Sequence, residues 1–227
     1  MTKPYQVWQD VYAIGGPDIT NPSDCCVYLV DCGELVLVDS GVGDSFDQLV
    51  DNISALGFNP SRLKAIIITH AHIDHIGALA EFQKKYSVSL IAHEIDAPAI
   101  ETGKGTGAEF YQTAYQPCRI DTRISQPETS LTFGRHELHL VHIPGHTPGS
   151  LAVYVDMGKR VLFGQDIHGP YIPDWGADPV QAAASLQKLI ELKADILCEG
   201  HFGIYQPASE VEQYITGYLR ELQWMNK

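Results

Sequence analysis

Between Ile66 and Leu79 the sequence reads IIITHAHIDHIGAL, and its polar residues His70, His72, Asp74 and His75 are the kinds that hold metal ions. Neutral imidazole and carboxylate are donors that Zn²⁺, Fe²⁺ and Mn²⁺ all accept. Residues two apart on an extended segment point the same way, so His70 and His72 can grip one ion together. A helix beginning near Asp74 turns the chain there and sends Asp74 and His75 toward a second ion. Read as mere capping and surface residues, the four would leave polar groups uncompensated beside a run of buried isoleucines, which is costly.

Three further residues are candidate partners for those ions. His146 lies in PGHTPGS, where Pro144, Gly145, Pro148 and Gly149 shape a tight loop around one imidazole. Asp166 ends the apolar run RVLFGQD and has two oxygens with which to bridge two ions. His201, in CEGH, ends another such run. His93, His136, His139 and His142 read as strand or surface residues without a role.

The elements that must position these residues are short apolar runs alternating with helical patterns. CCVYLVD, ELVLVD, KAIIIT, VSLIA, ELHLVHI, SLAVYVD, RVLFG and DILCEG read as strands from their β-branched content and their Gly, Asp or Pro ends. Helices are expected at 44–56, 75–85, 93–101, 178–192 and 208–224, the fourth opened by Asp178–Pro179 as N-cap and first-turn proline. A looser repetition links the halves. ELVLVDSG ends on Asp39, a helix follows, and KAIIITHAH reaches His70; RVLFGQD ends on Asp166, a helix follows, and DILCEGH ends on His201. Residues just past strand C-termini line the functional crevice of sheets flanked by helices.

Composition bounds the rest. The 227 residues, 44% of them apolar, suit one domain spanning 1–227 with a sizeable core. Lys and Arg number 15 against 28 acidic residues, a net charge of −13 that disfavours nucleic acid and anionic membrane surfaces. The expected partner is a small-molecule substrate; a homodimer stays open. The start MTKPYQVWQD has no apolar signal region, and the odd number of cysteines, 5, reads as buried reduced thiols. The expected location is the cytoplasm.

His70-x-His72-x-Asp74-His75, His146 in GHTPGS, Asp166 after FGQ, His201 in EGH and Asp39 in LVDSG together resemble the metallo-β-lactamase-fold hydrolases. The resemblance runs from about residue 25 to about 205 and is closest to the glyoxalase II-like and lactonase-like branches. It implies an α/β fold, a four-layer αβ/βα sandwich of two mixed sheets flanked by helices. It implies two divalent ions, zinc or else iron or manganese: one held by His70, His72 and His146, the other by Asp74, His75 and His201, with Asp166 bridging. Asp39 would stand behind a ligand histidine and orient it. Water shared by the ions would become the nucleophile, one ion would polarise the substrate carbonyl, and Asp74 would steer the hydroxide or pass a proton. The expected reaction is hydrolysis of a small ester, thioester or lactone.

The branch is narrowed by departures. A true β-lactamase of this fold has cysteine or serine where Asp166 stands. The segment after Asp166, IHGPYIPDWGAD, lacks the GCGR-like stretch of glyoxalase II relatives, which puts glutathione in doubt as substrate. Two segments are expected to set specificity: 103–121, with Tyr111 and Tyr115, and 167–175, with His168, Tyr171 and Trp175. Tyr171 would donate to the substrate carbonyl, as a tyrosine does in lactonases. The alternative reaction is oxidative, a mononuclear non-haem iron persulfide dioxygenase, since that branch keeps the same residues and uses fewer of them.

Overall fold

A computed structural model describes residues 2–173 and 176–225. By contact the chain forms two compact units, one running to Ser125 with Phe133–Arg135 added, the other comprising Gln126–Thr132 and the chain from His136 on.

Among the described residues of the first unit, strands β1 (Tyr5–Trp8), β2 (Val11–Gly15), β3 (Val27–Asp31), β4 (Leu35–Val38), β5 (Leu63–Ile67), β6 (Ser89–His93) and β7 (Thr122–Ile124) form one sheet in sequence order. The pairs from β1 to β4 are antiparallel, and those from β4 to β7 are parallel. Parallel neighbours need a crossover. Helix α1 (Phe46–Ala55) supplies it between β4 and β5; α2 (Ile73–Ile76) and α3 (Leu79–Tyr86) supply it between β5 and β6; α4 (Ala97–Thr102) lies between β6 and β7. All four residues of β4 are buried, the continuous apolar run expected of a strand covered on both faces. Leu49 and Ile53 turn the apolar stripe of α1 into the same cluster as Leu37, Ile66 and Phe82. Each such fully buried side chain stabilises by about 1.5–3 kcal/mol.

The second unit has β8 (Glu128–Phe133), β9 (His136–His142), β10 (Leu151–Asp156), β11 (Arg160–Gln165), β12 (Ile196–Glu199) and β13 (Ile204–Tyr205), in spatial order β13-β12-β11-β10-β9-β8. β11 and β12 run parallel, with α5 (Pro179–Glu191) between them in sequence, while β9–β10, β10–β11 and β12–β13 pair antiparallel. Asp178 caps α5, its Oδ1 accepting from Val180 N at 2.9 Å and Gln181 N at 3.0 Å. Helix α6 (Ala208–Met225) packs Val211, Ile215, Leu219 and Leu222 into one cluster with Leu186 and Leu189 of α5.

Two mixed β-sheets flanked by helices are thus the fold, as the resemblance implied, and the two strand–helix–strand repeats of the sequence are the parallel pairs β4–β5 and β11–β12. Three expectations need correction. The helix expected at 75–85 is two pieces broken at Gly77–Ala78; a Cβ on Gly77 would lie 2.0 Å from the Val42 backbone, so the chain bends where only glycine fits. The helix expected from residue 93 starts at Ala97, because His93 ends β6 and a turn closed by Asp96 N on His93 O intervenes. Strands β1, β2, β7, β8 and β13 were not expected. Among the described residues no disulfide forms, and no helix is long and apolar enough to cross a membrane.

Candidate metal centre

In the first unit the chemistry begins where β4 and β5 end. Asp39 follows β4 with φ of +64°, a left-handed turn that aspartate tolerates better than most residues. That turn carries its buried carboxylate to the next strand's end. Oδ1 accepts from Thr69 N at 2.8 Å, and Oδ2 accepts from Thr69 Oγ1 at 2.7 Å and from His75 Nδ1 at 2.8 Å. A carboxylate only accepts, so Nδ1 of His75 carries the proton and Nε2 the lone pair. Ser40 holds the same residue from behind, its N and Oγ donating to His75 O at 2.8 and 3.0 Å.

His72 stands in extended conformation at the N-terminus of α2, so the turn falls between it and Asp74. Its neighbours are both tied: Ala71 N donates to Asp96 Oδ2 at 3.1 Å and Ile73 N to Thr106 O at 2.8 Å. The ring's Nδ1 lies 3.0 Å from His70 Nε2. Asp74 Oδ2 lies 3.6 Å from His75 Nε2. Asp24 braces the opposing loop, accepting from Val42 N at 2.8 Å, and its burial pushes its carboxyl pKa up. Buried Cys25, its thiol likewise pushed well up by burial, donates its N to Asp74 O at 3.3 Å.

In the second unit His146 sits on a closed loop. Thr147 N and Oγ1 both meet Ser150 Oγ, at 3.0 and 2.9 Å, and Ile143 N donates to Ser150 O at 2.9 Å. Helix α5 holds that loop: Ser185 Oγ donates to Pro144 O at 2.7 Å and Asp178 N to Gly145 O at 2.8 Å. His146 Nδ1 donates to Pro170 O at 3.1 Å, which again puts the lone pair on Nε2. Asp166, buried just past β11, presents each oxygen to a different imidazole. Oδ2 is 3.5 Å from His146 Nε2, and Oδ1 is 3.3 Å from His201 Nε2. A Cβ on Gly200 would come within 2.3 Å of Asp166 Oδ1, so a glycine before His201 is what lets the two loops close.

These spacings suit divalent ions. Donors about 2.0–2.1 Å from a tetrahedral zinc ion lie about 3.3–3.4 Å from one another. The four pairs above lie at 3.0, 3.6, 3.5 and 3.3 Å, and the longer ones exceed a good hydrogen bond. Histidine nitrogens with their second nitrogen tied to a carboxylate or carbonyl are the usual disposition of metal ligands.

The expected substrate residues fare differently. Tyr171 donates its hydroxyl proton to Ile167 O at 2.6 Å, and burial with the nearby Asp166 and Glu199 charges raises its pKa. In this arrangement the Ile167 carbonyl takes that proton. Tyr115 packs against the first core and donates to Ile100 O at 3.0 Å. Tyr111 is exposed. His168 gives Nδ1 to Glu199 Oε1 at 2.7 Å. Trp175 lies outside the described residues. Sequence reasoning missed Thr69, Asp96 and Glu199; the readable signal for Glu199 was an acid closing the apolar run ILC.

Comparison with known proteins places these features. Residues 20–201 match the family model of the metallo-beta-lactamase superfamily. The probable metallo-hydrolase YflN of Bacillus subtilis is 28% identical over 209 residues, covering 73% of this chain and 74% of the relative. The hydroxyacylglutathione hydrolase GloC of Haemophilus influenzae is 26% identical over 145 residues, covering 63% and 66%. The crystal structure of the class B3 di-zinc metallo-beta-lactamase LRA-12, from an Alaskan soil metagenome, superposes with a TM-score of 0.79 at 25% identity, covering 98% of this chain and 92% of that one.

Proposed function

The chain belongs to the metallo-β-lactamase superfamily, and from that premise we propose that it is a hydrolase of a small ester, thioester or lactone that works with two divalent ions, zinc being the fitting metal. The observation that carries the reading is Asp166, whose two oxygens each face the Nε2 of a different histidine, His146 and His201. One carboxylate so placed serves two ions. The first unit offers His70 with His72, and Asp74 with His75; the second offers His146 and His201 on either oxygen of Asp166. His70, His72 and His146 would hold one ion, and Asp74, His75 and His201 the other. The zinc reading draws support from the two zinc ions named for LRA-12, and the thioester reading from GloC.

When bound, two such ions lower the pKa of a water toward neutrality and polarise a carbonyl. The protein's own residues do the remaining work. Asp39 keeps the proton of His75 on Nδ1, and the Pro170 carbonyl does the same for His146, so each ring is held in one tautomer and one orientation. Thr69 locks Asp39 in turn through two hydrogen bonds. Asp74 takes a proton from water and delivers it to the departing oxygen or sulfur. No serine or cysteine nucleophile enters.

The test is a panel of zinc-loaded assays with short and long acyl esters, lactones, thioesters including a glutathione thioester, and a β-lactam. Turnover of at least one ester, thioester or lactone, abolished in Asp166→Asn, supports the reading. Turnover of none, or of the β-lactam alone, refutes it.

A further inference from the structure

Glu199, just before His201, is a carboxylate with no exposed surface, and the chemistry above assigns it nothing. It closes β12, and the loop beyond, Glu199 to Gly203, is sealed by Glu199 N on Gly203 O at 3.0 Å. The side chain folds back over its own loop. Oε2 accepts from His201 N at 2.6 Å and from Phe202 N at 2.8 Å, while Oε1 accepts from His168 Nδ1 at 2.7 Å. Two consecutive amides on one oxygen fix the backbone on both sides of the His201 α-carbon. The third bond ties that backbone to His168, two residues beyond Asp166.

One buried carboxylate therefore joins the loop carrying His201 to the loop carrying Asp166, whose side chains stand 3.3 Å apart. The neighbouring rings close over it: His168 lies edge-on to Phe202 at 4.6 Å and to His201 at 5.5 Å between centroids. A buried charge left without such partners would be strongly destabilising; with three donors it becomes a rigid clamp on one imidazole. His146 and its loop are held by other groups, Pro170, Ser185 and Asp178. The two imidazoles facing Asp166 are thus positioned by separate devices.

We propose that Glu199, seconded by His168, is the positioning residue for His201, so that it governs the ion held by Asp74, His75 and His201 and leaves the other ion alone. The assignment rests on the two-ion reading above. A residue serving the fold alone would, when replaced, lower stability or weaken both ions together; a positioning residue for His201 weakens one.

The experiment loads the full chain with zinc, then withdraws it by graded competition with a chromogenic chelator, in wild type, Glu199→Gln and His168→Gln. Gln at 199 keeps the volume but sets an amide NH₂ against donors. Wild type should release two ions. Glu199→Gln should release one of them about 10- to 100-fold more readily, the cost typical of losing support behind a metal ligand, with the other unchanged. His168→Gln, at a partly exposed site that should fold whatever happens at 199, should shift the same ion in the same direction by less. A wild type that binds two ions, beside variants that hold both as tightly or lose both equally, overturns this assignment alone. A wild type that binds no zinc overturns the two-ion reading, and this assignment with it.

Discussion

Replacing Asp39 by asparagine isolates what its charge does. Asparagine has the same size and accepts the +64° backbone conformation found there, so geometry is left in place. The three donors around it are not. If the amide oxygen stays on Thr69 N, the NH₂ faces His75 Nδ1–H, two donors where 2.8 Å formerly joined a donor to an acceptor. The ring escapes by moving its proton to Nε2, which removes the lone pair an ion needs. A hydrogen bond to a charged group contributes about 1.5–3 kcal/mol, so the metal-free protein should lose about 2 kcal/mol. At about 1.4 kcal/mol per factor of ten, one ion should bind about 10- to 100-fold more weakly. Asp39→Ala behaves otherwise: it adds about 1–2 kcal/mol for an alanine in a left-handed turn but leaves His75 free to choose its tautomer. Asparagine should therefore harm zinc affinity out of proportion to stability, and alanine the reverse. Thermal melts of metal-free protein and zinc competition on both variants decide it. An Asp39→Asn protein that binds zinc like wild type would refute the reasoning.

Three other outcomes follow from the same geometry. Gly77→Ala, whose Cβ would sit 2.0 Å from the Val42 backbone at an ordinary helical φ, should cost about 3 kcal/mol or more by overpacking alone, read as a lowered melting temperature. Asp178 caps α5 and its pKa is lowered by Gln181 and Val180, so its contribution is present above its ordinary value of 3.8 and lost as pH falls through the lower native one. The melting-temperature gap between wild type and Asp178→Ala should be constant from neutral pH down to that region and close below it. Stripping the ions with a chelator should remove about 4 kcal/mol for each ion that had been a thousandfold above its Kd, about 8–16 °C of melting temperature per ion for a chain of this size; an unchanged melt would count against metal held by the folded state.

What could be read from sequence followed from burial. β3 to β6 and β10 to β12 are buried along nearly their whole length, which writes itself as apolar runs. β8, ETSLTF, alternates exposed and covered residues and carries too little apolar character to stand out. β1 and β7 lie at a sheet edge and are short and polar for the same reason. Metal-type residues were legible because their spacing follows strand alternation and a helix start. Their supports were not, since Asp96 reaches Ala71, and Glu199 reaches His168, across sequence separations that only the sheet order brings together. The hydroxyl partners of Tyr115 and Tyr171 were hidden for a related reason: an aromatic in a loop looks the same in sequence whether its hydroxyl faces outward or closes on a nearby carbonyl.

Metal content per chain, measured by elemental analysis after loading with zinc, iron or manganese and removal of excess, tests the central claim most directly. Two divalent ions per chain are predicted, falling to one or none in Asp166→Asn. A single iron per chain, with oxygen uptake on a persulfide, would contradict the account and favour the oxidative reaction; no retained metal at all would contradict both.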